Sequence, residues 1–189
     1  IKENFMCKST REEIEIIADQ IYNDDQKNEE YFLNLLKKYK MLSSNECICI
    51  MQASIFRSFT KIIDKYENVF NDQTKDLNLL FEEAILDKKT KMFRYILELA
   101  KKHKFSFENK DYPENNETFL SMALKMYNYQ IINYIMEEVG DTYVLNKIEV
   151  YRLKDYLRYV KVDREFIKLM FNHLMEDDKV NLYFDLLNK

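Results

Sequence analysis

The sequence predicts an all-α protein built from stacked helix–turn–helix pairs. Apolar residues recur three and four positions apart along most of the 189 residues, which is the spacing of one helix face. Gly140 and Pro113 are the single glycine and the single proline, so the turn residues that sheets and nucleotide-binding loops need are nearly absent. Hydrophobic residues make up 47% of the chain, which is enough to form a sizeable core.

Charge, hydropathy and cysteine usage exclude several classes of function. The formal net charge is −4 and the sequence pI is about 5.4, so no overall positive field attracts nucleic acid or an anionic membrane. No uninterrupted apolar run approaches the roughly 18 residues that a transmembrane helix needs. Cys7, Cys47 and Cys49 are an odd number without framework spacing, which predicts reduced thiols and a cytoplasmic protein. If the source is an intracellular parasite or a virus, the expected compartment is the host-cell cytoplasm.

A repeat with a spacing of 39 residues occupies the centre of the chain. Residues 118–137 (TFLSMALKMYNYQIINYIME) align without a gap with residues 79–98 (LLFEEAILDKKTKMFRYILE), and Ala123 falls on Ala84. Repeats of about 20 to 50 residues are typical of solenoids, in which neighbouring units bury faces that no unit could bury alone. The central segment is therefore predicted to consist of stacked units.

Each copy of the repeat divides into two short helices joined by a polar break. We expect the first helices at about 79–86 and 119–126, and the second helices at about 91–100 and 130–138. Two or three turns are too few for an isolated helix to be stable in water. Each helix must therefore pack on its partner in the pair and on the next pair.

The central repeat resembles the ankyrin repeat, whose first helix opens with Thr-Pro-Leu-His-x-Ala. Thr118, Leu120 and Ala123 fall on the Thr, Leu and Ala positions of that pattern. Ile131 and Ile132 fall on the paired aliphatic residues of the second ankyrin helix. The resemblance implies a short ankyrin-like solenoid that recognises another protein without catalysis.

Several positions depart from the ankyrin pattern. Phe119 replaces the proline, Ser121 replaces the histidine and Tyr127 replaces the glycine between the helices. The spacing of 39 residues also exceeds the ankyrin period of about 33. The additional residues fall in 103–117 (HKFSFENKDYPENNE), which the resemblance makes the hairpin between units.

The flanking segments are interpreted as further helix pairs. Residues 11–40 form a pair around a polar elbow, and residues 50–66 form a unit with Ala53 at the small position if one residue is inserted. The pairing of the helices after residue 141 stays open. We therefore expect a single helical repeat domain over 1–189. It consists of divergent N-terminal pairs in 1–76, two ankyrin-like repeats in 77–140 and divergent C-terminal helices in 141–189.

Ankyrin proteins bind partners on a concave face made of first helices and inter-repeat hairpins. By resemblance, the partner-binding residues here are Glu82, Glu83, Ser121, Met122 and Lys125 from the helices, and Phe105, Phe107 and Tyr112 from the hairpin. The hairpin aromatics have a second interpretation, in which they fold back over the adjacent helix ends. The expected partner is a host or regulatory protein, with no nucleic acid, and a homo-oligomer is left open. A helical accessory domain of a larger enzyme and a self-associating structural domain are the alternative functions.

No motif for catalysis, metal binding or cofactor binding stands out. Cys47 and Cys49 have no further ligand cluster beside them, and residues two apart point away from each other on a helix. His103 and His173 are the two histidines, and no glycine-rich turn surrounds a candidate nucleophile. Residues 72–83 match a calcium loop at three ligand positions but place leucine where that loop needs glycine. We therefore expect no enzyme activity, no metal and no cofactor.

Overall fold

The structure is a computed structural model that describes residues 10–72, 77–109 and 117–187. Within these ranges every regular element is a helix, which confirms the all-α class. A 3-10 helix at Glu67–Asp72 lies between α4 and α5. The α-helices are α1 Thr10–Asn23, α2 Glu29–Leu36, α3 Ser44–Arg57, α4 Thr60–Lys65, α5 Asn78–Leu86, α6 Thr90–Lys102, α7 Phe119–Lys125, α8 Tyr129–Val139, α9 Lys147–Tyr159, α10 Arg164–Asn172 and α11 Glu176–Leu187.

The four helices predicted for the central repeat are present. They are α5 and α6 in the first copy and α7 and α8 in the second, and each end lies within two residues of its predicted position. Thr118 caps α7 because its side chain accepts the Ser121 N–H, and Asn128 caps α8 because its side chain accepts the Ile131 N–H. Side-chain caps therefore mark the starts of α7 and α8, whereas α5 and α6 start without a side-chain cap and follow from apolar periodicity alone.

The chain forms two compact units, Ile1–Ser106 and Phe107–Lys189, termed here the N-terminal unit and the C-terminal unit. The boundary falls inside the segment 77–140. The two copies of the central repeat consequently lie in different units.

In the N-terminal unit the first helices of successive pairs contact one another. Helix α1 packs on α3, and α3 packs on α5, while α4 and α6 each pack on the first helix of their own pair. The core between the first two pairs is aliphatic and aromatic, and Ile14, Ile21, Phe32 and Leu36 are fully buried in it. Each such side chain contributes about 1.5–3 kcal/mol by leaving water, so short helices become stable only in this stack.

The C-terminal unit is organised around the contact of α7 with α8 and with α9. A buried carboxylate, Glu149, lies at the start of α9 with no solvent exposure. Its oxygens accept hydrogen bonds from Thr118 Oγ1 at 2.5 Å, Asn109 Nδ2 at 2.9 Å and Tyr143 Oη at 2.8 Å. The Asn146 N–H adds a fourth bond at 2.9 Å and completes the capping box of α9. One side chain therefore joins the segments before α7 and before α9.

Three elbows between paired helices share one backbone geometry. In the elbow after α5, Lys88 has a φ of 54°, and the Lys89 N–H donates to the Ala84 carbonyl at 2.8 Å. A helix commonly ends in this way, with one residue in the left-handed region and the next N–H bonded back to a carbonyl of the last turn. After α3, Ser58 has the positive φ and the Phe59 N–H donates to the Ser54 carbonyl. After α7, Tyr127 has the positive φ and the Asn128 N–H donates to the Ala123 carbonyl.

The elbow after α3 corrects the predicted alignment of residues 50–66 with the two copies of the central repeat. Ser54, rather than Ala53, occupies the position of Ala84, so residues 50–66 align with residues 80–96 without an insertion. Ser54 is fully buried, and its Oγ donates to the Ile50 carbonyl at 2.8 Å. A serine can stand at a packed position when its hydroxyl bonds within its own helix, and the sequence alone did not reveal that bond.

The elbow after α5 allows a stability test at an exposed residue. Lys88 is in the left-handed region, where a β-carbon costs about 1–2 kcal/mol and glycine pays no such cost. We expect Lys88→Gly to have a free energy of unfolding about 1 kcal/mol higher than Lys88→Ala, measured by urea denaturation. Both variants remove the same charge. Equal stability of the two variants would show that residue 88 does not adopt this conformation.

Candidate protein-binding surface

The aromatic residues assigned to the hairpin pack back against helices. Phe105 is half-buried, and its ring lies 6.3 Å from the Phe70 ring inside the N-terminal unit. Phe107 is half-buried, and its ring stacks on Phe119 at 5.5 Å inside the C-terminal unit. Tyr112 lies outside the described residues. The structure thus places Phe105 and Phe107 in two different units, where each covers a helical core.

Two residues assigned to the exposed surface of α7 are buried. Ser121 has no solvent exposure and Met122 has 5%. Ser121 Oγ accepts the Thr118 N–H at 2.8 Å, which forms the second half of the capping box at the start of α7. The assignment of Ser121 and Met122 to an accessible partner surface is therefore wrong. The Thr-x-x-Ser spacing was the signal for this structural role.

Lys125, Glu82 and Glu83 remain at least partly accessible to solvent. Lys125 is exposed, and its Nζ lies 3.6 Å from the Glu117 carboxylate. Glu82 and Glu83 are half-buried on α5. Burial, followed by the neighbouring Asp87, raises the pKa of Glu83 to about 7. Asp87 Oδ2 is enclosed without a protein hydrogen-bond donor, so a proton on Glu83 would satisfy it.

The sequence interpretation missed a cluster of exposed tyrosines on the C-terminal unit. Tyr127, Tyr129 and Tyr159 are 43%, 39% and 74% exposed, and we term them the tyrosine surface. The three come from the elbow after α7, the first position of α8 and the last position of α9. The rings of Tyr127 and Tyr159 meet edge to face with their centroids 6.3 Å apart.

Buried aromatic rings support the tyrosine surface from below. Tyr127 stacks on the fully buried Tyr156 at 6.0 Å, and Tyr129 lies 5.3 Å from the buried Phe166. The Tyr127 hydroxyl donates to Asp155 Oδ2 at 3.1 Å. Burial, followed by this bond, raises the pKa of Tyr127, so the hydroxyl stays a donor at neutral pH. The exposed rings are thus held in place before any partner binds.

Two basic residues lie close to the tyrosine surface in the sequence. Arg158 and Lys161 flank Tyr159 in sequence, and both are exposed. Neither forms an ion pair with any residue in the described part of the chain. Arg152, by contrast, is held by Glu117 at 2.6 Å. Two exposed and unpaired cations therefore lie close to Tyr159 in the sequence, and the Asp155 carboxylate lies against the Tyr127 hydroxyl.

The cysteines and histidines do not form a reactive arrangement in the described ranges. Burial raises the pKa of Cys47 to about 11 and also raises the pKa of Cys49, so both thiols stay protonated. His103 Nδ1 lies 3.0 Å from Asn71 Oδ1, and His173 Nδ1 lies 2.8 Å from the Tyr143 carbonyl oxygen. Among the described residues, no three His, Cys, Asp or Glu side chains are placed to hold one metal ion.

Comparison with known proteins finds no family model, no curated protein and no solved structure that matches this chain. In residues 10–72, 77–109 and 117–187, no helix has the length and apolarity to cross a membrane. The ankyrin resemblance consequently remains a hypothesis that depends on the residues of the repeat and the geometry of the elbows.

The Glu83–Asp87 pair predicts a pH-dependent stability. Because the pKa of Glu83 rises from an ordinary 4.5 to about 7 on folding, the folded state holds a proton that the unfolded state has already lost. The contribution of Glu83 to the free energy of unfolding is therefore fully present below about pH 4.5 and is lost as the pH rises through about 7. Glu83→Gln should remove this loss, so the variant should gain stability relative to the parent between pH 5 and pH 8.

Urea denaturation at several pH values measures this difference. Glu137→Gln is the matched control because Glu137 is an exposed carboxylate on a helix of the other unit. The Glu83 account fails if the parent and Glu83→Gln lose stability equally over this range, or if Glu137→Gln has the same effect.

Proposed function

We propose that the chain is a non-catalytic protein–protein interaction module built from divergent ankyrin-like helix pairs. The proposal rests chiefly on the tyrosine surface of the C-terminal unit, where large exposed rings stand on a buried aromatic base. Tyrosine is enriched among residues that dominate binding energy at protein interfaces. A partner that buries these rings would restrict them little further, because Tyr127 and Tyr129 are already packed against neighbours. The loss of conformational entropy on binding is therefore small.

The charge around the tyrosine surface favours a partner that presents acidic side chains. Arg158 and Lys161 are exposed, lie close to Tyr159 in the sequence and are unpaired in the described residues. Complementary charge accelerates association and disfavours wrong partners more than it adds affinity. We therefore assign contact energy to the tyrosines and selectivity to the two cations.

The packing of first helices supports the ankyrin-like part of the proposal. In the N-terminal unit α1, α3 and α5 contact one another in order, and in the C-terminal unit α7 contacts α9. The same closing bond recurs in the elbows after α3, α5 and α7. Both features are what a stack of helix–turn–helix units needs. Each of these helix contacts lies within one unit, and each closing bond lies within one elbow.

A second candidate function is self-association as a structural helical domain. Helix α11 buries Leu182 and leaves a series of large apolar side chains exposed. These exposed residues are Val180, Tyr183, Phe184 and Leu187. Exposed apolar residues grouped on one helix commonly mark a contact surface. A role as the accessory domain of a larger enzyme has no feature of the described residues in its favour.

The proposed function predicts that partner capture depends on the tyrosine surface. A Tyr127→Asn/Tyr159→Ala variant removes two exposed rings, and asparagine tolerates the left-handed conformation that residue 127 adopts. Losing two interface aromatics should weaken binding of a captured protein at least tenfold, since each contributes about 1 kcal/mol or more. The measurement is affinity capture from source-cell lysate, followed by titration of the captured protein.

Tyr183→Ala/Phe184→Ala is the matched control because it removes two exposed aromatics from α11 of the same unit. The proposal requires this control to bind like the parent and both variants to retain the parent's circular dichroism. Loss of capture only with the α11 variant, together with concentration-dependent sedimentation of the parent, would instead favour self-association.

A further inference from the structure

The last two helices of the C-terminal unit leave a groove between them, with a volume of about 420 Å³. The wall formed by α10 consists of residues three and four positions apart, which share one face of that helix. These residues are Arg164, Ile167, Lys168 and Phe171. Tyr183, Leu186 and Leu187 form the wall on α11. The described part of the chain thus lines the groove with two cations and apolar groups, and with no carboxylate.

Helix α11 carries an apolar stripe that the described residues leave uncovered. Leu182 is the one residue of Glu176–Leu187 that is buried. The large apolar side chains of the stripe are spaced three and four positions apart and are 54% to 62% exposed. They are Val180, Tyr183, Phe184 and Leu187. A helix of 12 residues is marginal in water by itself, so a surface that covers this stripe would stabilise α11.

Unpaired charges of opposite sign lie on these two helices. Arg164 starts α10, is exposed, and forms no ion pair with any described residue. Asp177 and Asp178 lie in the first turn of α11 and are likewise unpaired within the described ranges. The neighbouring charges already have partners within their own helices, and these ion pairs are Glu165–Lys168 at 3.2 Å and Glu176–Lys179 at 2.7 Å.

A two-fold axis through the groove would bring these opposite charges together. Arg164 and Leu187 line the same groove, so the start of α10 lies near the end of α11. Asp177 lies about 15 Å before Leu187 along α11, since a helix rises about 1.5 Å per residue. When α11 of a second copy lies antiparallel to α11 of the first, its acidic start therefore reaches Arg164. The reciprocal contact forms at the same time, as a two-fold interface requires.

We propose that the C-terminal unit forms a two-fold symmetric dimer, in which a second copy of this chain covers the groove. The apolar stripes of the two α11 helices pack on each other and supply the contact energy. Arg164 of each copy pairs with Asp177 and Asp178 of the other, and a bidentate arginine–carboxylate contact fixes the antiparallel orientation. The inference rests on self-association, the second candidate function, and gives it a defined surface. It does not depend on partner capture by the tyrosine surface.

Sedimentation equilibrium of the purified chain at several concentrations tests the dimer. Two helices per copy make a small interface, so we expect dissociation at micromolar concentrations. The average mass should rise from 23.1 kDa towards twice that value and no further. Phe184→Ser removes an exposed ring from the stripe and should weaken the dimer at least about tenfold. A chain that stays monomeric, or one that assembles beyond the dimer, would overturn the proposal, since a closed two-fold interface allows neither.

Charge reversal tests the orientation of the two copies. Arg164→Asp places a carboxylate opposite Asp177 in both contacts and should weaken the dimer at least about tenfold. Arg164→Asp/Asp177→Arg exchanges the two charges and should restore the dimer to within about threefold of the parent. Lys91→Asp, at an exposed lysine of α6 in the N-terminal unit, makes the same change of charge as Arg164→Asp. This control should dimerise like the parent.

Circular dichroism establishes that each of these variants is folded. The proposal fails if folded Arg164→Asp dimerises like the parent, if the exchanged variant does not recover, or if Lys91→Asp weakens the dimer as much as Arg164→Asp does.

The tyrosine surface provides the last control, because its three residues lie outside the lining of the groove. Tyr127→Asn/Tyr159→Ala should dimerise like the parent. Loss of the dimer in this variant, with a parent-like dimer in Phe184→Ser, would place the contact on the tyrosine surface and overturn the proposal. The purified chain contains no other protein, so a failed dimer leaves partner capture from lysate intact, and failed capture leaves the dimer intact.

Discussion

The hydrogen bonds of the buried Glu149 carboxylate fix the architecture of the C-terminal unit. Its oxygens accept from Thr118 at the start of α7, from Asn109 and Tyr143 in the preceding segments, and from the Asn146 N–H. No cation pairs with this buried charge in the described residues, so neutral donors alone replace its hydration. The tyrosine surface depends on this network, because Tyr127 follows α7 and Tyr159 ends α9.

The elbows show how the chain forms tight helix pairs almost without glycine. Ser58, Lys88 and Tyr127 each adopt a positive φ, a conformation that glycine adopts without a steric cost. The β-carbon of each residue destabilises this conformation by about 1–2 kcal/mol, and packing within the helix pair offsets that cost. At Tyr127 the same conformation places an aromatic ring over Tyr156 and beside Tyr159, so an elbow residue contributes to a candidate binding surface.

The sequence predicted the helices but not the surface, for physical reasons. Periodicity and capping are local, so α5 to α8 were located within two residues. Burial is a property of tertiary packing, so Ser121 was assigned to a surface although its hydroxyl completes a cap. The tyrosine surface joins residues from the elbow after α7, from α8 and from the end of α9, and Tyr159 is distant in sequence from the other two.

The most direct test of this account is amide hydrogen exchange in Glu149→Gln. Glutamine keeps the shape but replaces one acceptor oxygen with a donor, which leaves Thr118, Asn109 or Tyr143 facing the wrong partner. We predict a loss of about 2–4 kcal/mol of protection across α7 and α9, with the protection of α1, α3 and α5 unchanged. Parent-like protection of α7 and α9 would contradict the account, because the α7–α9 contact would then not depend on this carboxylate.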